Sequence, residues 1–394
     1  MILVEILLYF LLAAFLIPVL VLFIQVLMSI PAYRTRGMPE GRRPTAAIVI
    51  PAHNEALLIA STLRTIIPQL AAGDRVLVVA DNCTDATAAI AASVGAEVIE
   101  RRDLARRGKG YALDFGVRHL TRNPPEVVLI IDADCEVDCG TIERLSRVCL
   151  DAGRPVQALY TIRSPEGAGL RTRIAEFAWL VKSEVRAVGY HRLGLPYQLL
   201  GTGMAFPWRD IETASLAGGH LQEETKLGID FTRSGKPQLF CPEARVTSFF
   251  PVSAEGFKGQ RTQWEHGHLA LILSAAPRLF AEAMVNGNLR LVALLLDLCV
   301  PPLALLTLLG LTLVAGSTAL FAATGVTVPL FLSAASMAML VSSVLLSWYR
   351  HGRKVISLAS LAYAPIYAIW KIPLYLKFLR RRHTTWIRTR RDGE

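Results

Sequence analysis

Val127-Val128-Leu129-Ile130-Ile131-Asp132-Ala133-Asp134 is the stretch on which the reading of this chain turns. Five branched aliphatic residues in a row, without polar alternation, suit a strand covered on both faces, as in a parallel sheet. Two carboxylates follow at once, with one residue between them. In an extended chain such residues point to the same side, so Asp132 and Asp134 are expected to converge on one site. Converging carboxylates suit Mg²⁺ or Mn²⁺, which take oxygen ligands and favour bridging phosphate oxygens. A solvated acidic turn is the plainer alternative.

The same grammar recurs upstream. Ala46-Ala47-Ile48-Val49-Ile50 is an apolar run closed by Pro51, and Arg75-Val76-Leu77-Val78-Val79-Ala80 is another. Each ends in polar residues, His53-Asn54-Glu55 and Asp81-Asn82-Cys83-Thr84-Asp85. Helical patterns fall between, near 56–67, 84–93 and 110–120. Strand, polar turn, helix, strand is the plan of an open α/β sheet, which binds ligands beyond the carboxyl ends of its strands. The polar clusters lie at those ends.

Four further groups carry candidate chemistry. Asp81-Asn82 can accept from a base N–H or a ribose hydroxyl, or form an Asx turn or helix cap, with Thr84 and Asp85 as alternative caps. In Arg107-Gly108-Lys109-Gly110 the glycines permit close backbone approach, and Lys109 at a helix start can meet a base carbonyl or a phosphate, or simply face solvent. Glu223-Glu224 reads as a helix opening, where acidic residues favour the dipole; either carboxylate can alternatively take a proton from an attacking hydroxyl. Gln260-Arg261-Thr262-Gln263-Trp264 offers amide, guanidinium and indole groups, with Arg261 suited to phosphate and Trp264 to a sugar ring or a membrane interface.

Of the 394 residues 53% are hydrophobic. The excess sits in the first 30 residues and in the last third. Residues 2 to 29 form an apolar run too long for a signal-peptide core, and spanning a bilayer takes about 20 residues. Beyond 291, Pro301-Pro302 divides an interfacial segment from a span at about 303–323; a return span at about 327–348 ends at Trp348-Tyr349-Arg350. Residues 355 to 377, interrupted by Pro365, Lys371 and Pro373, read as a segment lying on or dipping into the membrane face. The expected organisation is an anchor at 1–32, a cytosolic α/β domain at 44–285, a membrane region at 288–377 and a basic tail at 378–394.

The net charge of +10 is placed accordingly. Arg34, Arg36, Arg42 and Arg43 follow the first run; Arg350, Arg353 and Lys354 follow the last clear one; Arg380, Arg381, Arg382, Arg388, Arg390 and Arg391 crowd the tail. Basic flanks of membrane segments follow the positive-inside rule and attract anionic lipid, and no nucleic-acid motif accompanies them. The six cysteines show no zinc spacing and read as reduced thiols.

Taken together, Pro51-Ala52-His53-Asn54-Glu55, Asp81-Asn82, Gly108-Lys109-Gly110, Asp132-Ala133-Asp134, Gly201-Thr202-Gly203-Met204-Ala205-Phe206, Glu223-Glu224 and Gln260 to Trp264 resemble the family 2 inverting glycosyltransferases, especially their membrane-bound, cellulose-synthase-like branch. The resemblance covers roughly 45 to 268 and implies a GT-A (Rossmann-like) fold and a nucleotide-sugar donor, read as a UDP-sugar. It implies a donor side formed by Pro51, His53, Glu55, Asp81, Asn82, Lys109, Asp132, Gln260 and Arg261, with Asp81 on the uracil. Asp134, with Asp132, would hold Mg²⁺ or Mn²⁺ on the diphosphate. Gly201, Thr202, Gly203 and Trp264 would border the acceptor, and Glu224 or Glu223 would act as base. Two positions depart from the pattern: the usual Glu-Asp pair is Glu223-Glu224, and the arginine of Q-x-x-R-W is Gln263, leaving Arg261 as the nearby guanidinium.

The implied enzyme is an inner-membrane, multi-pass transferase with its catalytic domain in the cytosol. It would add a sugar to a lipid-linked or membrane-associated glycan in exopolysaccharide or cell-surface glycan synthesis. Subunits of a polysaccharide assembly system are a further partner class. A processive synthase, a ceramide-type lipid glucosyltransferase and a catalytically dead membrane scaffold are the alternatives.

Overall fold

The computed structural model describes residues 2–32, 35, 37–218 and 223–380. Arg34, Arg36, Arg381, Arg382, Arg388, Arg390 and Arg391, which entered the readings above, lie outside them, as does most of the 378–394 tail. The chain forms two compact units. One takes in the N-terminal helix, Glu166–Leu195 and the described residues from Glu265 to Arg380; the other runs up to Pro165 and resumes over Pro196–Trp264.

The second unit is built on one mixed sheet. Its strands are β1 (Ala46–Ala52), β2 (Arg75–Asp81), β3 (Glu97–Arg101), β4 (Val127–Ile130), β5 (Glu136–Val137), β6 (Val156–Arg163), β7 (Met204–Pro207) and β8 (Leu239–Phe249). They lie in the order β3-β2-β1-β4-β7-β6-β8-β5. The first four are parallel. β7 runs antiparallel to both β4 and β6, β6 is parallel to β8, and β5 is antiparallel to β8. The three strands read from sequence are neighbours in its parallel half, and every residue of β4 is buried, as its unbroken apolar run requires.

β1 continues through Pro51 to Ala52 rather than closing before it. Val49 turns its carbonyl to the β4 side, where it accepts from Ile131 N at 3.2 Å. Pro51, two residues on, faces that side too, beyond the last β1–β4 pair at Val49 and Ile130. No ladder donor is demanded there, so proline is tolerated. Helix Lys109–Leu120 covers this part of the sheet, burying Ala112, Leu113, Val117 and Leu120 with Val49, Leu77, Val79 and Val128.

In the other unit, three helices among the described residues are long and apolar enough to cross a membrane: Glu5–Ser29, Leu303–Thr324 and Val328–Gly352. They match the runs expected from composition. The 355–377 segment breaks into Leu358–Leu361, Ala364–Trp370 and Ile372–Arg380, each well short of the about 20 residues a bilayer core requires. Pro365 and Pro373 lie at the starts of the second and third pieces, where a missing N–H costs little.

The expected 44–285 domain is not contiguous. Glu166–Leu195 groups with the first helix, because Ile174, Phe177, Val181 and Val185 share an apolar cluster with Leu12, Phe15, Val19, Leu22 and Val26. Gln25, a polar break in the first run, is accounted for here. Its Nε2 donates to Asp297 Oδ1 at 2.6 Å, and Arg186 Nη2 donates to the same oxygen at 2.7 Å.

Candidate active site

The chain after β4 leaves the sheet at once, so Asp132-Ala133-Asp134 forms a turn rather than the extended strand end expected. Two hydroxyls fix it. Asp132 N donates to Thr202 Oγ1 at 3.0 Å, and Thr62 Oγ1 donates to the Ala133 carbonyl at 2.8 Å. The carboxylates take different neighbours. Asp132 Oδ1 meets the Lys109 ammonium, whereas Asp134 has Ser248 Oγ at 3.5 Å from Oδ2 and Cys135 Sγ at 3.5 Å from Oδ1. Burial pushes the Cys135 thiol far above its ordinary value, which keeps it protonated and inert.

Lys109 is the hub. It opens helix Lys109–Leu120 directly after Gly108, whose φ of 135° suits glycine. Its Nζ donates to the Asp132 carboxylate and, at 2.7 Å, to the Gly201 carbonyl. Burial works against its charge, but the Asp132 and Glu224 carboxylates outweigh burial and hold the ammonium above its ordinary value. A Cβ placed on Gly201 would lie 3.7 Å from Lys109 Nζ and 3.9 Å from Glu224 Cδ, so these residues share one corner.

Glu223 and Glu224 open helix Glu223–Arg233, as read from sequence, and the structure separates them. Glu224 faces Lys109 and Gly201. Glu223 turns toward Gly110, where an added Cβ would come within 2.5 Å of its Oε2 and collide with the Leu216 carbonyl. Both line a cavity of about 220 Å³ with Lys109, Tyr111, Met204 and Leu227.

Asp81 closes β2, but its carboxylate is not left to a ligand alone. Arg101, its cross-strand partner at the end of β3, donates Nη1 to Asp81 Oδ1 at 2.6 Å, and Asn82 Nδ2 donates to the same oxygen at 3.0 Å. Asp81 and Arg101 are both buried. The Arg101 guanidinium lies 5.5 Å from the Tyr111 ring centroid and donates to the Arg106 carbonyl at 2.8 Å. Sequence reasoning missed Arg101. Extending the strand–helix–strand alternation by one unit, to Glu97-Val98-Ile99-Glu100-Arg101, would have found it.

The loops after β1 and β2 are laced together. His53 Nδ1 lies 2.6 Å from the Asp81 carbonyl, Thr84 N donates to Asn54 Oδ1 at 2.7 Å, and Glu55 N donates to Thr87 Oγ1 at 2.8 Å. Asp85 supplies the turn before helix Thr87–Ser93, accepting from Thr87 N at 3.0 Å.

Thr202 is fully buried, its hydroxyl oxygen accepting from Asp132 N and its carbonyl from Gln157 Nε2 at 2.9 Å. Gly203, with φ of 65°, sits where a Cβ would come 2.9 Å from Ala158 Cβ. These two shape the turn from beneath, and Gly201 presents its edge. Gln260, Arg261 and Trp264 lie on helix Ala254–Ser274, Arg261 over the Phe257 ring at 5.6 Å. The Gln260 Oε1 atom is buried and has no hydrogen-bond partner among the described residues.

The mixed α/β sheet, with acidic turns at its strand ends, is GT-A-like. The chain belongs to glycosyl transferase family group 2, which it matches over residues 127–375, and residues 47–198 match glycosyl transferase family 2. It is a glycosyltransferase. A Mycobacterium tuberculosis protein named as an uncharacterized glycosyltransferase is 31% identical over 215 residues, 55% of this chain and 85% of that one. The probable glycosyltransferase YdaM of Bacillus subtilis is 25% identical over 275 residues, 62% of this chain and 61% of its own. Among solved structures, the mannosyltransferase PcManGT from Pyrobaculum calidifontis, in complex with GDP-Man and Mn²⁺, superposes with a TM-score of 0.58. Its identity is 18%, covering 96% of this chain and 100% of that one, so the likeness is one of fold.

Proposed function

We propose that this glycosyltransferase is an inverting, cellulose-synthase-like enzyme that moves a sugar from a nucleoside-diphosphate donor to a lipid-linked or membrane-associated acceptor. The reading rests chiefly on the meeting of Lys109, Asp132, Gly201 and Glu224 at one corner. Glu224 would take the proton from the acceptor hydroxyl as its oxygen attacks the anomeric carbon. The bond from that carbon to the diphosphate breaks on the opposite side, which inverts the centre. Lys109 would stand by the departing diphosphate and hold Asp132 in place. Asp81, oriented by Arg101, would accept from the base; His53 and Glu55 would complete the donor side. Gln260 and Arg261 would serve the diphosphate, with Trp264 and the Gly201 edge on the acceptor.

The residues suit a divalent cation of the Mg²⁺ or Mn²⁺ kind. Among the described residues no group of three or more His, Cys, Asp or Glu is placed to hold a metal by itself. What the turn offers is carboxylate oxygen from Asp134 and Asp132, and hard cations of this type commonly add substrate phosphates and water to one or two such ligands. When bound, the cation would neutralise the charge of the leaving diphosphate. The presence of GDP-Man and Mn²⁺ in the archaeal fold relative supports a nucleotide sugar and a divalent cation here; the family resemblance favours uridine as the nucleoside. The three apolar helices support a membrane-bound acceptor, with the catalytic domain in the cytosol.

The test is incubation of membranes carrying the full chain with labelled UDP- and GDP-sugars, with and without Mn²⁺. One labelled residue in the lipid extract, lost in Asp134→Ala, is the expected result. A long polymer would instead point to a processive synthase, and label transferred undiminished by Asp134→Ala would overturn the metal-site assignment.

A further inference from the structure

Helix Ala254–Ser274 carries Gln260, Arg261 and Trp264, and the residue after Trp264 is a buried acid. Glu265 is 6% exposed. Its Oε1 meets the ammonium of Lys371, which is 2% exposed, and its Oε2 accepts from Tyr375 Oη at 2.9 Å. Lys371 stands at the break between helices Ala364–Trp370 and Ile372–Arg380, with its ammonium 5.3 Å from the Tyr367 ring centroid. His266 adds a second tie, its Nε2 3.1 Å from the Leu374 carbonyl and its ring 5.2 Å from that of Phe378. Two consecutive side chains of one helix are thus fastened to residues 371–378, about two turns at the start of another.

Packing alone does not call for this arrangement. A buried ion pair costs both partners their hydration, and apolar residues of similar size are often at least as stabilising. What the pair supplies is direction: a charge with few alternative partners fixes helix register and rotation more narrowly than an apolar contact does. Arg261 lies one turn before Glu265 on the same face of the helix, and Trp264 immediately precedes it. Gln260, one turn before Trp264, keeps a buried acceptor atom without a partner among the described residues. A rotation of the helix would re-aim all three.

We propose that Glu265 and Lys371 are positioning residues for sugar transfer, with Tyr375 in support. Through them the C-terminal segment Ala364–Arg380 sets the register of the helix bearing Gln260, Arg261 and Trp264. The proposal rests on the reading that those three residues serve the substrates.

The test uses the full chain in detergent or nanodiscs, with Mn²⁺ and a UDP- or GDP-sugar that it turns over. Lys371→Met strands the carboxylate and is expected to lower both thermal stability and kcat. The double variant E265M/K371M removes both charges and is expected to regain the unfolding midpoint while kcat stays at least tenfold low. Affinity for the corresponding nucleoside diphosphate, measured by calorimetry, should stay within twofold. Recovery of kcat together with stability would make the pair a purely structural one and overturn the proposal. Should the double variant fail to fold, Tyr375→Phe decides. A three- to tenfold fall in kcat at an unchanged unfolding midpoint supports positioning, and wild-type kcat refutes it. Gln260→Ala and Trp264→Ala are run beside these: wild-type rates in both would show that the underlying site reading had failed, whatever Lys371→Met does.

Discussion

Replacing Lys109 by methionine removes a charge while keeping most of the side chain's length and bulk. The ammonium now serves the Asp132 carboxylate and the Gly201 carbonyl and lies beside Glu224. A hydrogen bond to a charged group is worth about 1.5–3 kcal/mol. The Lys109 and Asp132 side chains retain 29% and 31% of their exposure, so water screens part of the interaction and the lower half of that range applies. Adding the bond from the ammonium to the neutral Gly201 carbonyl, about 1 kcal/mol, gives about 2.5–3.3 kcal/mol. At about 1.4 kcal/mol per decade this is a fall of roughly 60- to 200-fold in kcat/KM. The assay is release of nucleoside diphosphate by purified full-length enzyme at saturating Mn²⁺ and varied donor. The same contacts set a pH dependence. Because the folded-state lysine titrates above its ordinary 10.5, its contribution is complete below about pH 10.5 and is lost as pH rises through the higher folded value. Wild-type enzyme should therefore keep this contribution throughout the neutral and mildly alkaline range. A K109M variant within threefold of wild type would refute the argument that Lys109 organises the corner.

Arg101→Met should cost about 3 kcal/mol of stability, read as a shift in denaturant midpoint, because it strands a buried Asp81 carboxylate. Donor affinity should fall with it. Gly110→Ala forces a methyl group against the Leu216 carbonyl and the Glu223 carboxylate and should cost about 1–3 kcal/mol in thermal unfolding. Asp134→Asn should lower turnover by about 100-fold or more, as loss of a positioned charge at a leaving group does, and chelation of the divalent ion should reduce wild-type enzyme to a comparable rate.

Local chemistry made part of this legible beforehand. Doubly buried strands announce themselves as unbroken aliphatic runs, so β1, β2 and β4 were readable, as were the polar residues at their ends and the three long apolar helices. What needed coordinates was the identity of partners far apart in the chain. The strand pattern reaches Arg101 without pairing it to Asp81, and nothing around Asp132 names Thr202 as its buried prop. β6 and β8 alternate weakly and bind each other across some 80 residues, which no local pattern encodes. Glu166–Leu195 sits in sequence between pieces of the sheet unit, yet its apolar stripe matches the first helix. The placement of Glu223 and Glu224 was likewise undecidable until Gly110 and Gly201 showed which neighbour each one has.

Asn54 and Asn82, at adjacent strand ends, both adopt positive φ, 54° and 52°. Asparagine pays less for that conformation than other residues with a Cβ, and each also spends its amide: Asn54 takes the Thr84 N–H, and Asn82 takes the Asp103 N–H at 2.8 Å. Glycine would satisfy the backbone at either place and forfeit the amide; threonine or valine would forfeit both. Mutational drift at these two strand ends is thereby confined from two directions at once. A saturation library at these two codons, selected for retained folding, should return asparagine first, aspartate behind it and branched residues almost never.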